Sequence, residues 1–328
     1  MFWIKFLKSN DIVTGYYLNI IKSALEKAGE KVDNSYSWEK IKIGRDDIAV
    51  VAHPLDALKM VLGQRKYFLW CQGIWPEESY LKHNSKLRLF VLSFLEKLAI
   101  IHASYLFFVS EQMKNFYEKK YHLSFKNNYY IMPCVNDIIH EKSFSNEKYK
   151  TNIFCYVGAL SKWQCFEKTI ELYKQIEDKY PSSKLMLLVK DKEQAILYLK
   201  KYKIKNYEID FVPVSDLPKK LLSVKFGFLL RENDPVNHVA TPTKLMTYLG
   251  NGVIPIYSNS LSALNGFLSN TRYKVCYKND NDISAIEEMM HMDIAYSEVK
   301  AEYMQIYDDN FNKEKHIHEL SKFFRERY

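Results

Sequence analysis

The sequence predicts an α/β protein of two Rossmann-like domains, and three observations carry that expectation. Short continuous apolar runs alternate with longer stretches of helical spacing, the pattern of parallel strands covered by helices on both faces. The alternation fills residues 1–140 and starts again at 151. At 328 residues, 47% hydrophobic and 26% charged, the chain has the length of about two domains and the composition of an ordinary globular protein; disorder, collagen-like repeats and a small disulfide scaffold are set aside.

In chain order, residues 3–6 read as a strand and 14–28 as a helix closed by Gly29. Residues 47–52 form a continuous apolar strand, 66–71 another, 86–102 a helix, 105–109 a strand, 111–120 a helix and 129–132 a last strand. Residues 141–150 (EKSFSNEKYK) are polar and aperiodic, and read as a linker. The second half reads as strand 152–157, a turn at Gly158, helix 165–179, strand 184–189, helix 192–202 and strand 207–211. A short helix at 215–222, strand 226–230, helix 242–250 and strand 253–257 follow. Residues 316–328 read as a helix that packs back on the first domain, so the domains divide as 1–145 and 146–315. Ligands of open α/β sheets bind beyond the carboxyl ends of the strands, so two such domains imply a cleft between them.

Charge and cysteines narrow the function classes. Net charge is +8, with 22 Lys plus Arg against 16 Asp plus Glu in residues 1–150 (+6) and 25 against 23 beyond (+2). No basic run exceeds three residues, which argues against nucleic acid and leaves a phosphate-bearing ligand or an anionic lipid surface. The five cysteines are odd in number and include no C-x-x-C pair, which argues against a disulfide framework and a structural zinc site. The most apolar stretch, 87–109, is interrupted by Glu96, Lys97 and His102 and is not a membrane span. Residues 1–7 do not read as a secretory signal, so the expected location is the cytoplasm.

The segment 226–257 is the most informative. A strand ends in Arg231 and Glu232, a polar loop follows, and Thr241 and Pro242 read as the cap and first residue of a helix. Backbone N–H groups of Thr243 and Lys244 would then face a ligand, with Lys244 and Arg231 suited to a diphosphate and Glu232 to sugar or ribose hydroxyls. The same residues read equally well as a plain helix cap and a surface ion pair. In the first half, Thr14 and Gly15 follow the first strand, where backbone N–H groups could meet developing negative charge. His53, Gln72, Gly73, Glu77 and Glu78 lie after strands and therefore at the ligand-binding end of a sheet. Asp280-Asn281-Asp282 spells D-x-D, but Asp282 reads better as the cap of the following helix, so no metal is expected. The stretch 80–98 is amphipathic and basic, with Lys82, His83, Lys86 and Arg88 beside Leu89, Phe90, Leu92, Phe94 and Leu95. It reads as an interfacial helix on an anionic leaflet or, alternatively, as a core helix with a solvated basic end.

Arg231, Glu232, Asp234, Val236, Asn237, Val239, Ala240, Pro242, Thr243 and Lys244 together resemble the R-E-x-D-x-V-N-x-V-A-x-P-T-K donor region of bacterial GT-B glycosyltransferases of the large retaining family four. The run Cys155 to Trp163 resembles that family's glycine turn, Ile131 to Asn136 its I-P-N-G-V-D segment, Val109 to Met113 its V-S-x-x-M helix start, and Trp70 to Ser79 its W-x-Q-G-x-x-P-E-E-S loop. The resemblance implies the GT-B fold and transfer of a sugar from a nucleotide-diphosphate sugar to a hydroxyl of a cell-surface glycan or lipid-linked acceptor. Retention, metal independence and a protein peripheral to the inner face of the membrane are further implications. It assigns Arg231, Glu232, Lys244 and His53 to catalysis, and Gly158, Lys162, Asn237, Pro242, Thr243, Lys244 and Thr247 to the donor. Thr14, Gly15, Gln72, Gly73 and Glu77 fall to the acceptor. Two departures stand out: Ala159 and Gln164 occupy positions where the family carries the phosphate-binding Arg and Lys, and Thr247 stands at the later glutamate of its E-x7-E pair. They motivate an alternative, a catalytically silent subunit that binds a partner transferase or a glycan.

Overall fold

Apolar β-branched and aromatic runs such as Ile48–Val51 and Tyr105–Phe108 are buried along their whole length, which only a strand covered on both faces allows. The computed structural model describes residues 1–5, 12–35, 44, 46–135, 137–160, 162–278 and 283–327. It separates into two compact units, Met1–Asn136 with His238–Ala240 and Asn310–Tyr328, and Asp137–Asn237 with Thr241–Asp309.

The first unit runs β1 (Phe2–Lys5), α1 (Ile12–Ala28), β2 (Val32–Ser35), β3 (Ile48–Val51), α2 (Pro54–Leu62), β4 (Lys66–Cys71), α3 (Trp75–His83), α4 (Lys86–Ile101), β5 (Tyr105–Phe108), α5 (Glu111–Tyr121) and β6 (Tyr129–Ile131). The second continues through α6 (Asn146–Tyr149), β7 (Ile153–Val157), α7 (Phe166–Lys179), β8 (Lys184–Leu188), α8 (Lys192–Lys201), β9 (Tyr207–Asp210), α9 (Leu217–Lys220) and β10 (Phe226–Leu229). There follow α10 (Pro235–Val239), α11 (Lys244–Gly250), β11 (Ile254–Ser258), α12 (Ser262–Phe267), β12 (Val275–Tyr277), α13 (Ser284–His291), α14 (Tyr296–Asn310) and α15 (Lys313–Arg327), the last of which belongs to the first unit.

Each unit holds a six-stranded, wholly parallel sheet, ordered β2-β1-β3-β4-β5-β6 in the first and β12-β11-β10-β7-β8-β9 in the second. Strand order therefore reverses between β1 and β3 and between β7 and β10, and such switch points are where doubly wound sheets bind ligands. Phe324 of α15 stacks on Phe68 of β4, with centroids 5.9 Å apart and rings 10° from parallel, and lies 6.4 Å from Phe2 of β1. The last helix thus completes the aromatic core of the first unit.

The structure corrects the sequence reading in several places. Strands β2 and β12 were not read, because both are short edge strands whose exposed side is polar or half-buried and shows no apolar run. Helix α14 was also missed, its buried positions being only Val299, Tyr303 and Ile306. Segment 141–150 is no linker. It forms a 3-10 turn (Glu141–Ser143) and α6, and buries Lys148, whose ammonium donates to the carbonyls of Ser143 (3.1 Å), Leu221 (2.9 Å) and Asn251. Tyr149 is buried beside it and donates to Gly252 O at 2.8 Å. Finally, α1 starts at Ile12, two residues before the Thr14 read from the sequence, so Gly15 is its fourth residue. The Asp280-Asn281-Asp282 reading falls outside the described residues.

Candidate functional site

At the switch point of the second unit, β7 and β10 end side by side in Gly158 and in Leu230-Arg231. Gly158 has φ +124°, a conformation only glycine adopts cheaply, and a side chain there would stand 3.5 Å from Lys244 Cε. The Lys244 side chain thus crosses the glycine turn. Helix α11 is drawn close because β10 carries Gly227: any Cβ at that position would meet the Tyr248 ring at 2.7 Å. Tyr248, freed to pack there, donates to Phe228 O at 2.9 Å.

Lys244 and Arg231 form an uncompensated cationic pair. Lys244 Nζ lies 4.1 Å above the Tyr156 ring and donates to Gln164 Oε1 at 3.1 Å. Arg231 is fixed through its backbone, its N–H donating to Ser258 Oγ at 2.8 Å and its carbonyl accepting from Ser260 Oγ at 3.1 Å. Its guanidinium donates to Leu230 O at 3.0 Å. Among the described residues neither cation forms an ion pair. Burial, and then the neighbouring Arg231 charge, hold the Lys244 ammonium well below the usual lysine range; burial likewise lowers Arg231. Two half-buried cations thus stand together with no carboxylate in ion-pair contact among the described residues, Asp234 acting on Arg231 only from further off, and such a pair is suited to an anion.

The other residues assigned to the donor divide sharply. Glu232 turns toward Lys168 (3.3 Å) and, through Oε1, accepts from Cys165 Sγ at 3.8 Å. Asn237 braces the loop, its amide donating to Glu232 O (3.0 Å) and Asp234 Oδ2 (2.6 Å). Thr247 is buried, and its carbonyl accepts from Asn251 Nδ2 at 2.9 Å. The sequence reading of Thr241 as cap and Pro242 as first helical residue is corrected: α11 starts at Lys244, Thr243 occupies the cap position without a side-chain cap bond, and Leu245 N–H turns back tightly onto Pro242 O at 2.9 Å. In a seven-residue helix begun this way, positive charge comes from side chains rather than a helix terminus. The Lys162 side chain lies outside the described residues. Tyr156, Gln164, Ser258 and Ser260 were missed. Only the serines left a signal, their place at the carboxyl end of an apolar strand.

In the first unit, a cavity of about 690 Å³ opens beyond the carboxyl ends of β3 and β4, lined among others by His53, Gln72, Gly73, Trp75, Glu78 and Glu96. His53 caps α2, its Nδ1 accepting from Leu55 N–H at 3.1 Å, which leaves the ring proton of the neutral form on Nε2. Its ring meets Trp75 edge-on at 5.2 Å. Thr14 is buried and donates to Gln72 Oε1 at 3.2 Å, so Thr14 positions the glutamine that faces the cavity. A side chain at Gly15 would meet nothing within 4 Å.

The neighbouring acids behave differently. Glu77 is 2.8 Å from Lys120. Glu78 forms no ion pair among the described residues, and burial raises its carboxyl above the usual range. It lies against Gly73, where any Cβ would overlap Glu78 Oε1. Glu96, 1% exposed, accepts from Trp75 N–H (3.1 Å), Tyr117 OH (3.1 Å) and Tyr121 OH (2.6 Å), with Lys120 at 3.4 Å. Burial nevertheless pushes its carboxyl up to about 7. Among the described residues no three His, Cys, Asp or Glu side chains cluster as metal ligands.

These two sheets and their helices are the fold of the GT-B glycosyltransferases. Sucrose-phosphate synthase from Thermosynechococcus elongatus superposes with a TM-score of 0.73 at 11% identity, over 99% of this chain and 98% of that one. The lipopolysaccharide outer core galactosyltransferase WaaB matches at 0.68 and 13%, over 97% and 98%. Anabaena HepE, solved with UDP and glucose, matches at 0.67 and 10%, over 98% of each chain. S. aureus TarM matches at 0.64 and 10% identity over 88% of this chain, which spans only 57% of TarM. No family model and no curated protein matches the sequence.

Proposed function

We propose that the protein is a glycosyltransferase whose second unit holds a nucleotide-diphosphate sugar at Arg231 and Lys244, and whose first-unit cavity takes the acceptor, a cell-surface glycan or lipid-linked saccharide. The observation that carries this reading is the uncompensated Arg231–Lys244 pair at the β7–β10 switch point. The solved structures of the same fold include complexes with UDP, which makes a nucleoside diphosphate the natural anion. In the reaction, the bond from the anomeric carbon to the diphosphate oxygen breaks as the acceptor hydroxyl bonds to that carbon. The hydroxyl proton passes to the departing phosphate, which is the course that retention without a protein base requires. Arg231 and Lys244 stabilise the charge gathering on that phosphate, and with two cations in place the reaction needs no divalent ion. His53, Gln72 and Glu78 offer the acceptor one donor, one mixed and one accepting group beside the Trp75 ring.

The test is a calorimetric and thermal-shift titration in chelator with UDP, GDP, ADP and CMP. One nucleoside diphosphate should bind and stabilise the fold, and Lys244→Ala or Arg231→Ala should each weaken it at least about tenfold, the order expected for a charge-assisted contact. A folded protein that binds none of them is instead the silent subunit that Ala159 and Thr247 suggest.

A further inference from the structure

Helix α4 carries an apolar stripe on the side turned away from the protein. Its buried residues are Glu96, Ala99 and Ile100. Leu87 (75% exposed), Phe90 (74%), Val91, Phe94 (58%) and Ile101 are all exposed. At about 100° per residue these five fall within an arc of roughly 100° centred opposite the buried side, so they form one continuous face. The sequence allowed this helix to be a core element. The exposed aromatics exclude that, since the apolar residues a core would claim are the ones left in water.

The charges around the stripe say what covers it. From Ser79 to Leu95 the chain contains no acidic residue, while Lys82, His83, Lys86 and Arg88 are all exposed. Lys86 and Lys97 project along one flank of the stripe and Arg88 along the other. Leu81, 54% exposed, lies in α3 beside Lys82 and His83 in sequence. An apolar strip edged with cations and free of carboxylates is complementary to an anionic lipid leaflet, where the aromatics enter the acyl boundary and the lysines meet the headgroups. None of the helices among the described residues is long and apolar enough to cross a membrane, so the contact is one of lying on the surface.

We infer that the outer face of α4, through Leu87, Phe90, Val91 and Phe94 with Lys82 and Lys86, docks the protein onto an anionic membrane surface. The inference rests on this face alone and stands independently of the proposed sugar transfer.

The test is sedimentation of the full chain with phosphatidylcholine vesicles, pure or doped with phosphatidylglycerol, alongside light scattering without lipid. The protein should pellet with the doped vesicles and not with the pure ones, and binding should fall as salt is raised. Lys82→Glu with Lys86→Glu should weaken it at least about tenfold, at roughly 1 kcal/mol for each lysine lost near the surface. Phe90→Ser with Phe94→Ser should abolish it, leaving the unfolding transition and nucleotide binding as in the parent. A parent protein that stays in the supernatant with both vesicle types overturns the inference. So does a dimer in the absence of lipid that the Phe90→Ser, Phe94→Ser variant dissociates, because the face would then belong to a second copy. Equal binding to both vesicle types refutes the charge argument.

Discussion

The two units treat buried charge in opposite ways. In the first, Glu96 sits at the centre of α3, α4 and α5 with a backbone N–H, two tyrosine hydroxyls and an ammonium around it. In the second, Lys244 has a glutamine oxygen and a ring face on one side and another cation on the other. Burial alone therefore does not mark function, since Lys148 is as buried as Glu96 and more buried than Lys244, yet spends its protons on three carbonyls. What separates a structural charge such as Lys148 from one proposed to bind a ligand, such as Lys244, is whether the protein itself completes its shell.

Four experiments sharpen or break that comparison. The largest effect belongs to Lys148→Ala, which leaves three buried carbonyls short of a donor. Urea denaturation should show a loss of about 3 kcal/mol while nucleotide affinity in the surviving fold is unchanged. A variant as stable as the parent would mean that Lys148 is no clamp.

Glu96 comes next. Its folded carboxyl titrates at about 7 against an ordinary 4.5, so the folded state binds the extra proton between those values. The stability this contributes is complete below about 4.5 and is lost as pH rises through about 7. Glu96→Gln should remove about 1–3 kcal/mol of that decline from a pH series of unfolding curves. An unchanged slope would place the titration elsewhere.

Lys244→Met should act in two directions. It removes an uncompensated buried charge and so should stabilise the free protein by about 1–2 kcal/mol while nucleotide binding is lost. In the parent, nucleotide affinity should fall as pH is raised in a range where an ordinary lysine stays charged, because the ligand needs the protonated form that the fold disfavours. A destabilised Lys244→Met variant would make Lys244 a structural residue like Lys148.

The smallest effect on stability is expected at Gly73→Ala. The new methyl displaces the end of the Glu78 side chain rather than backbone, so the melting transition should shift by less than about 0.5 kcal/mol. The KM for acceptor should rise several-fold with kcat little changed, and an unaltered KM would remove Glu78 from the acceptor site.

Much of this fold was legible because its central strands are buried on both faces and leave unbroken apolar runs. The edge strands β2 and β12 leave none, and the burial of Lys148 is invisible in a sequence that shows only a polar stretch. At the proposed donor site, Gly158, Arg231 and Lys244 could be picked out by type and by place at strand ends. Gln164 and Tyr156 could not, because their part depends on where the Lys244 side chain lies. Side-chain direction also separates Glu77, bound to Lys120, from its neighbour Glu78, and decides which face of α4 meets water.

The aromatic core of the first unit ends with Phe324. Its strands precede α15 in the chain, and the ring that stacks on Phe68 follows more than two hundred residues after it. During synthesis at about 5–20 residues per second, the first sheet therefore waits more than about ten seconds with Phe2 and Phe68 uncovered, while the second unit has all its strands in hand. The order of maturation should run against the order of translation, and a nascent chain halted before α15 is the form of this protein most exposed to chaperones and to aggregation.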